Sequence, residues 1–322
     1  MAYTTGTATD YLDLLNALRD YIISVPAGSN WVVERDNSAG APDQVEMIFK
    51  GDGGATDEIY WGVETYFDDG AGRYNWRLKA FTGFNTLETF DNQPGFSPNT
   101  YVPLQNITMD YWFYVTGRRV CIVVKTGSAY QFLYAGFIDA YSTPDEYPYP
   151  MLIMGCTATS TTVWNSNSIN YSSSIAPALN TSFLRDITGA WLNVANFSNT
   201  SWYTGSTRVW PLCSVGAFDG YSSDSVYKTY GSASQGGVPT NLILRTVNPG
   251  GNPVVPLIST CILQSSPTNQ LYGEIHNLSW CPLSDTISPE DTVTDSITAE
   301  LYTVFQNIHR TDPWCGLAIK QE

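Results

Sequence analysis

The chain has 322 residues and a mass of 35.5 kDa, long enough to bury a sizeable core in two domains or in one large β domain. Hydrophobic residues make up 43% of it but charged ones only 14%, against a usual charged share of about 25%, so Ser, Thr, Asn, Gly and Tyr must build much of the surface. With 30 Asp and Glu against 15 Lys and Arg the net charge is −15, a field that repels phosphate backbones and anionic headgroups and so argues against nucleic acid and membrane surfaces as partners.

The opening TDYLDLLNALRDYIIS places Tyr11, Leu14, Leu15, Leu18 and Ile22 on one stripe of an amphipathic helix, with Thr9 as expected N-cap and Pro26 and Gly28 as its end. The stripe Tyr11, Leu14, Leu18 and Ile22 can pack on the body of its own subunit or reach a neighbour, and it is carried forward as a candidate interface. The sequence then changes to period two. In EIYWGVETYF, Ile59, Trp61, Val63, Thr65 and Phe67 share a face, and YNWRLKAF returns with Tyr74, Trp76, Leu78 and Ala80 across the loop Asp68 to Arg73, which reads as a β-hairpin. A meander follows: DYWFYVT, VCIVVKT and AYQFLYAGFI, turning at Gly117 to Arg119 and at Gly127-Ser128. The uninterrupted apolar run Cys121 to Val124 predicts strands covered on both faces.

In AGFIDAYSTPDEYPYPMLIMGC, Ala135 to Cys156, a tyrosine and proline tract lies between two apolar runs. Pro144, Pro148 and Pro150 remove ladder donors and stiffen the loop, so Tyr141, Tyr147 and Tyr149 read either as caps on a self-packed corner or as a preorganised docking edge. From Thr157 to Ser206 the composition turns to Ser, Thr and Asn. The later apolar runs RVWPLCSVGAF, NLILRTV, PVVPLISTCILQ, LYGEIHNLSWCPL, ELYTVFQNI and WCGLAIK predict further strands. The expected fold class is therefore mainly β, an N-terminal α-helix followed by two antiparallel β-sandwich-like domains. The expected divisions are a helix at 1–28, a first sandwich at 29–156, a linker or insertion at 157–206 and a second β domain at 207–322.

Few residues carry chemistry. Only His276 and His309 could serve a nucleophilic triad, and neither lies in a nucleophile-elbow context. His276 with Cys281, and His309 with Cys315, would make a zinc site only if their strands met, and the spacings match no zinc-finger pattern. The six cysteines, Cys121, Cys156, Cys213, Cys261, Cys281 and Cys315, contain no C-x-x-C pair and read as buried free thiols. A glycosidase needs only two carboxylates, but Asp57-Glu58, Asp68-Asp69, Asp145-Glu146 and Glu290-Asp291 each fall in or beside a turn. GDGGATDE, Gly51 to Glu58, lacks regular calcium-loop spacing, and no Walker loop or dinucleotide fingerprint occurs. No enzyme, metal or cofactor is expected. The excess that stands out is aromatic: 21 Tyr, 13 Phe and 10 Trp suit flat contact surfaces, toward sugars or toward protein partners.

Three stretches carry a family resemblance: the opening MAYTTGTATDYLDLLNALRDYI, the block AGFIDAYSTPDEYPYPMLIMG, and LYGEIHNLSWCPLSDTISPEDTVTDSITAELYTVFQNIHRTDPWCGLAIK, together 93 of the 322 residues, spread from end to end. Each resembles virion structural proteins of tailed bacteriophages, a family associated with the tail and baseplate. The resemblance implies a particle component that meets other virion proteins and copies of itself, with no catalytic residues to carry over. A host-glycan receptor module or depolymerase, and a head-to-tail joining or capsid-associated protein, are the alternatives. No leader and no run of about 18 apolar residues is seen, so synthesis in the host cytoplasm and a place in the virion without membrane insertion are expected.

Overall fold

The computed structural model describes residues 2–25, 30–40, 44–53, 58–127, 129–156, 160, 182–193, 209–211, 258–264, 270–282, 287–295, 298–306 and 315–321. Over these the chain is mainly β, with a single α-helix and three antiparallel sheets.

Strand β1 (Ala2–Ala8) comes before α1 (Tyr11–Ser24), which corrects the expectation that a helix starts the protein. Its threonines favour extended backbone, and every residue of it pairs with the strand running from Met109 to Thr116. The N-cap is Asp10 rather than Thr9: its carboxylate accepts from the amides of Leu12 and Asp13, while the Thr9 amide donates back to Asp13 Oδ2 at 2.8 Å. The helix stops at Val25, whose extended backbone is what a following proline imposes.

Next come β2 (Val32–Asp36), β3 (Glu46–Gly51), β4 (Ile59–Asp68), β5 (Arg73–Phe81) and β6 (Thr100–Val102), joined in that order in one five-stranded sheet. The β4–β5 hairpin has the register that the alternation predicts, turning through a 3-10 segment at Asp69–Ala71 with Gly72 left-handed at φ 63°. The meander is β7 (Met109–Thr116), β8 (Arg119–Thr126) and β9 (Ala129–Phe137). It is followed by the short β10 (Asp139–Ala140), β11 (Met151–Met154), β12 (Ser182–Arg185) and β13 (Trp191–Asn193). The second sheet has the order β1-β7-β8-β9-β11-β12-β13, so the region expected as a linker supplies two of its strands. The third has β14 (Val209–Pro211), β15 (Ile258–Gln264), β16 (Gln270–Pro282), β19 (Cys315–Lys320), β18 (Leu301–Gln306) and β17 (Thr292–Thr294) in that order, with β10 pairing β16 from outside that path. The run NLILRTV lies outside the described residues.

One apolar cluster joins all three sheets. The seven-stranded meander sheet is the middle layer, which is why Cys121 to Val124 are apolar at successive positions and all buried. One of its faces meets α1 and the five-stranded sheet: Tyr21 packs on Phe113, and the Trp76 indole donates to Tyr11 O at 3.1 Å. The other face meets the third sheet through Phe305, whose ring lies 5.1 Å from Trp112, 5.8 Å from Tyr130 and 6.4 Å from Tyr114 in edge-on arrangements. A polar stitch backs this contact, since Glu290, left-handed at φ 75°, takes hydrogen bonds from Lys125 and from the Tyr130 hydroxyl.

Candidate functional site

The candidate interface residues separate into two groups. Tyr11, Leu14, Leu18 and Ile22 are buried against the chain's own sheets, so the helical stripe belongs to the core and not to a neighbour. Tyr147 and Tyr149 are likewise turned inward. The Tyr147 hydroxyl donates to Arg185 O and its ring packs 5.7 Å from Tyr272. Tyr149 donates to Phe81 O at 2.7 Å, accepts from the Tyr60 amide at 3.3 Å and meets Phe137 edge-on at 5.0 Å. Desolvation raises both phenols above their ordinary pKa. The proline tract is therefore a corner that ties the middle sheet to both others, and the docking-edge reading of Tyr147 and Tyr149 is corrected. Tyr141 alone stays out, 52% exposed, with its hydroxyl on Glu274 and its amide on Tyr272 O. Among the described tyrosines it is the one that is exposed, the others being buried or half-buried.

The chemical candidates do not assemble into a centre among the described residues. His276 has both ring nitrogens engaged, Nδ1 with Asp139 at 2.7 Å and Nε2 with Asn277 at 2.8 Å, so it offers no lone pair to a metal. Cys281 and Cys315 stand on adjacent strands, in register with Gly316 and Pro282 respectively, while His309 lies outside the described residues. No group of three metal-binding side chains occurs among those that are described. The adjacent acids are held by their own turns: Asp68 by Ala71 and Arg73, Asp69 by Tyr74, Glu146 by Thr143, Asp291 by Ser288, and Glu58 by Lys50 and Tyr60. Asp57 and the three residues before it lie outside the described residues. Cys121 and Cys156 are fully buried, and desolvation pushes each thiol up to about 12, opposed at Cys121 by Arg119 and at Cys156 by the Phe132 backbone.

What the composition gave no reason to single out is the β12–β13 hairpin. Asp186 Oδ1 accepts from Thr188 N, Thr188 Oγ1 and Ala190 N at 2.9, 2.8 and 2.8 Å, and this closes the turn. Gly189 suits the turn because its φ of 86° is a conformation that side chains rarely adopt, and a β-carbon there would also press on the end of the Arg185 side chain, 3.0 Å from Nη2. Arg185 and Trp191 are cross-strand partners. The Arg185 guanidinium carbon sits 5.9 Å from the Trp191 ring centroid and 5.6 Å from that of Tyr149. Both rings are themselves anchored, Trp191 Nε1 on Gly95 O of the β5–β6 loop at 3.0 Å and Tyr149 on Phe81 O of β5. The guanidinium thus lies over two anchored rings, contacts worth about 0.5–2 kcal/mol each. A guanidinium over ring faces can still offer its N–H donors in a forked bond to an oxyanion, which makes this clamp the candidate site. The cue in the sequence was the alternation of Phe183 and Arg185 before Asp186-Ile187-Thr188-Gly189 and Trp191, a short hairpin inside a polar stretch.

No family model matches the sequence, and no curated protein is similar enough to count as a relative. Among the described residues no helix is long and apolar enough to cross a membrane.

Proposed function

We propose that the chain is a structural subunit of a tailed-bacteriophage particle, in the tail or baseplate region, working by assembly with other virion proteins and copies of itself. The observation that carries this reading is the location of the three stretches that resemble virion proteins. The opening stretch forms β1 and α1, the proline tract forms the corner from β9 to β11, and the last stretch forms β16 to β19. Each places side chains in the one core that joins the three sheets. The resembling segments are thus the framework of a block, while the hairpin at Arg185 forms one edge of the middle sheet. Such a block, poor in charge and closed by large aromatic contacts, suits a part that must keep its shape under load from its neighbours. On this reading α1 and its two covering sheets act as one sandwich-like unit, with the third sheet and the residues beyond 207 as the second.

The test is immunogold labelling of purified particles with an antibody against the chain, viewed in negative stain. Label on the tail or baseplate is the expected result. Absence of the chain from purified particles overturns the proposal, and label confined to the capsid or neck overturns the assigned region.

A further inference from the structure

We propose that Arg185 is a contact point between subunits, and that its occupant is a carboxylate side chain of a second copy of this chain; the inference rests on the assembly reading above. Four observations lead there. The first is the clamp, which fixes the guanidinium between Tyr149 and Trp191 before any partner arrives. A cation already ordered loses little rotamer freedom on binding, so a contact to it is less opposed by entropy than one to a loose surface arginine.

The second is its lack of a counter-ion. Each of the other described lysines and arginines that is not fully buried, from Arg19 on α1 to Lys320 on β19, has a carboxylate at ion-pair distance. Arg185 has none among the described residues, although Asp186 is its neighbour in sequence. The Asp186 carboxylate is turned into the hairpin, where Oδ1 holds three donors. The fold has directed the nearest acid elsewhere and left the forked edge unmatched.

The third is the company the cation keeps. Arg, Trp and Tyr are the residues in which binding hot spots are enriched, and Ile187, in the same turn, is 49% exposed. A guanidinium beside an exposed aliphatic side chain has the mixed character of a protein contact. The fourth is charge. Two copies carrying −15 each repel, and a face that receives one of the neighbour's acids on an unmatched cation is where that repulsion is locally reversed. With 30 acidic residues to 15 basic ones, a second copy brings carboxylates in excess, Asp145 and Glu146 among the exposed ones.

Sedimentation velocity on the full chain tests this, over a wide concentration range at low and high salt, for the wild type, Arg185→Gln and Arg185→Lys. The wild type is expected to self-associate, less so at high salt. Arg185→Gln is expected to weaken association about tenfold or more, the loss of one forked charge-assisted contact, with Arg185→Lys between the two. Equal association of wild type and Arg185→Gln overturns the inference and leaves the assembly reading standing. A wild type that stays monomeric throughout also overturns it, and the particle labelling then decides the assembly reading separately. Titration with D-glucuronate is the third arm: saturable binding that Arg185→Gln abolishes would assign the clamp to a small acid in place of a second copy. Should Arg185→Gln lose its near-UV circular dichroism, Arg185→Lys decides, and wild-type association by that variant overturns the proposal.

Discussion

Replacing Tyr147 and Tyr149 together by phenylalanine removes two hydroxyls and leaves the rings in place, which separates the corner's hydrogen bonds from its packing. Three bonds are lost: Tyr147 to Arg185 O, Tyr149 to Phe81 O at 2.7 Å, and the Tyr60 amide to Tyr149 at 3.3 Å. The first two leave carbonyls without those donors between sheets, at about 1 kcal/mol each, and the long third bond adds less, for a total of about 2–3 kcal/mol. The rings keep their contacts with Tyr272 at 5.7 Å and Phe137 at 5.0 Å, so no cavity term is added. Against a domain stability of about 5–15 kcal/mol this is a large fraction. Urea unfolding followed by tryptophan fluorescence should show a lower midpoint at unchanged slope. A double variant within about 0.5 kcal/mol of wild type would refute the corner, and loss of self-association with stability intact would return these tyrosines to a docking role.

Three further outcomes are expected. At Gly155 a β-carbon would lie 2.3 Å from Thr100 Oγ1 and 2.9 Å from Tyr101 O, so Gly155→Ala should cost about 1–3 kcal/mol in urea unfolding; adding Thr100→Ala, which removes the nearest atom, should restore part of it, and no loss in the single variant would contradict the close approach. With both thiols pushed up to about 12 by burial, Cys121 and Cys156 should resist iodoacetamide in the native chain at mild alkaline pH and react only in urea, as read by peptide mapping; rapid native labelling of either would refute its burial. The Lys320 ammonium holds the Glu300 carboxyl below its ordinary value, against the upward pull of desolvation. A lowered folded pKa means stability that is present above the unfolded value and lost as pH falls through the folded one, so Glu300→Gln should weaken the chain near neutrality and flatten its acid limb, and parallel pH profiles would count against the pair.

Much of the fold was legible because periodicity reports burial. The α1 stripe, the β4–β5 hairpin and the β7–β8–β9 meander all follow from apolar spacing and turn residues. Periodicity does not say which body does the burying. Leu14 and Leu18 would have the same spacing on a helix docked to a neighbour, and Tyr147 and Tyr149 the same place beside prolines on an open edge. Those identities depend on contacts distant in sequence, Tyr149 with Phe81 and Trp76 with Tyr11, which no local pattern contains. β1 was missed for a related reason: a short run of threonines has weak alternation, and its strand character comes from pairing with β7, more than a hundred residues on.

The Arg185 clamp illustrates a different limit. Net charge is a sum, and a chain with twice as many acids as bases would be expected to leave no cation unmatched. Whether a given cation is matched depends on where the fold points its neighbours, and the β12–β13 turn needs the Asp186 carboxylate for its own closure. The same turn that closes the hairpin therefore takes from Arg185 the acid beside it, while the guanidinium lies over Tyr149 and Trp191. An arginine so placed adds little to the stability of a lone chain beyond its ring contacts. Its unmatched edge gains a forked partner only when a second surface arrives, and for a chain this acidic a second copy brings the complementary charge.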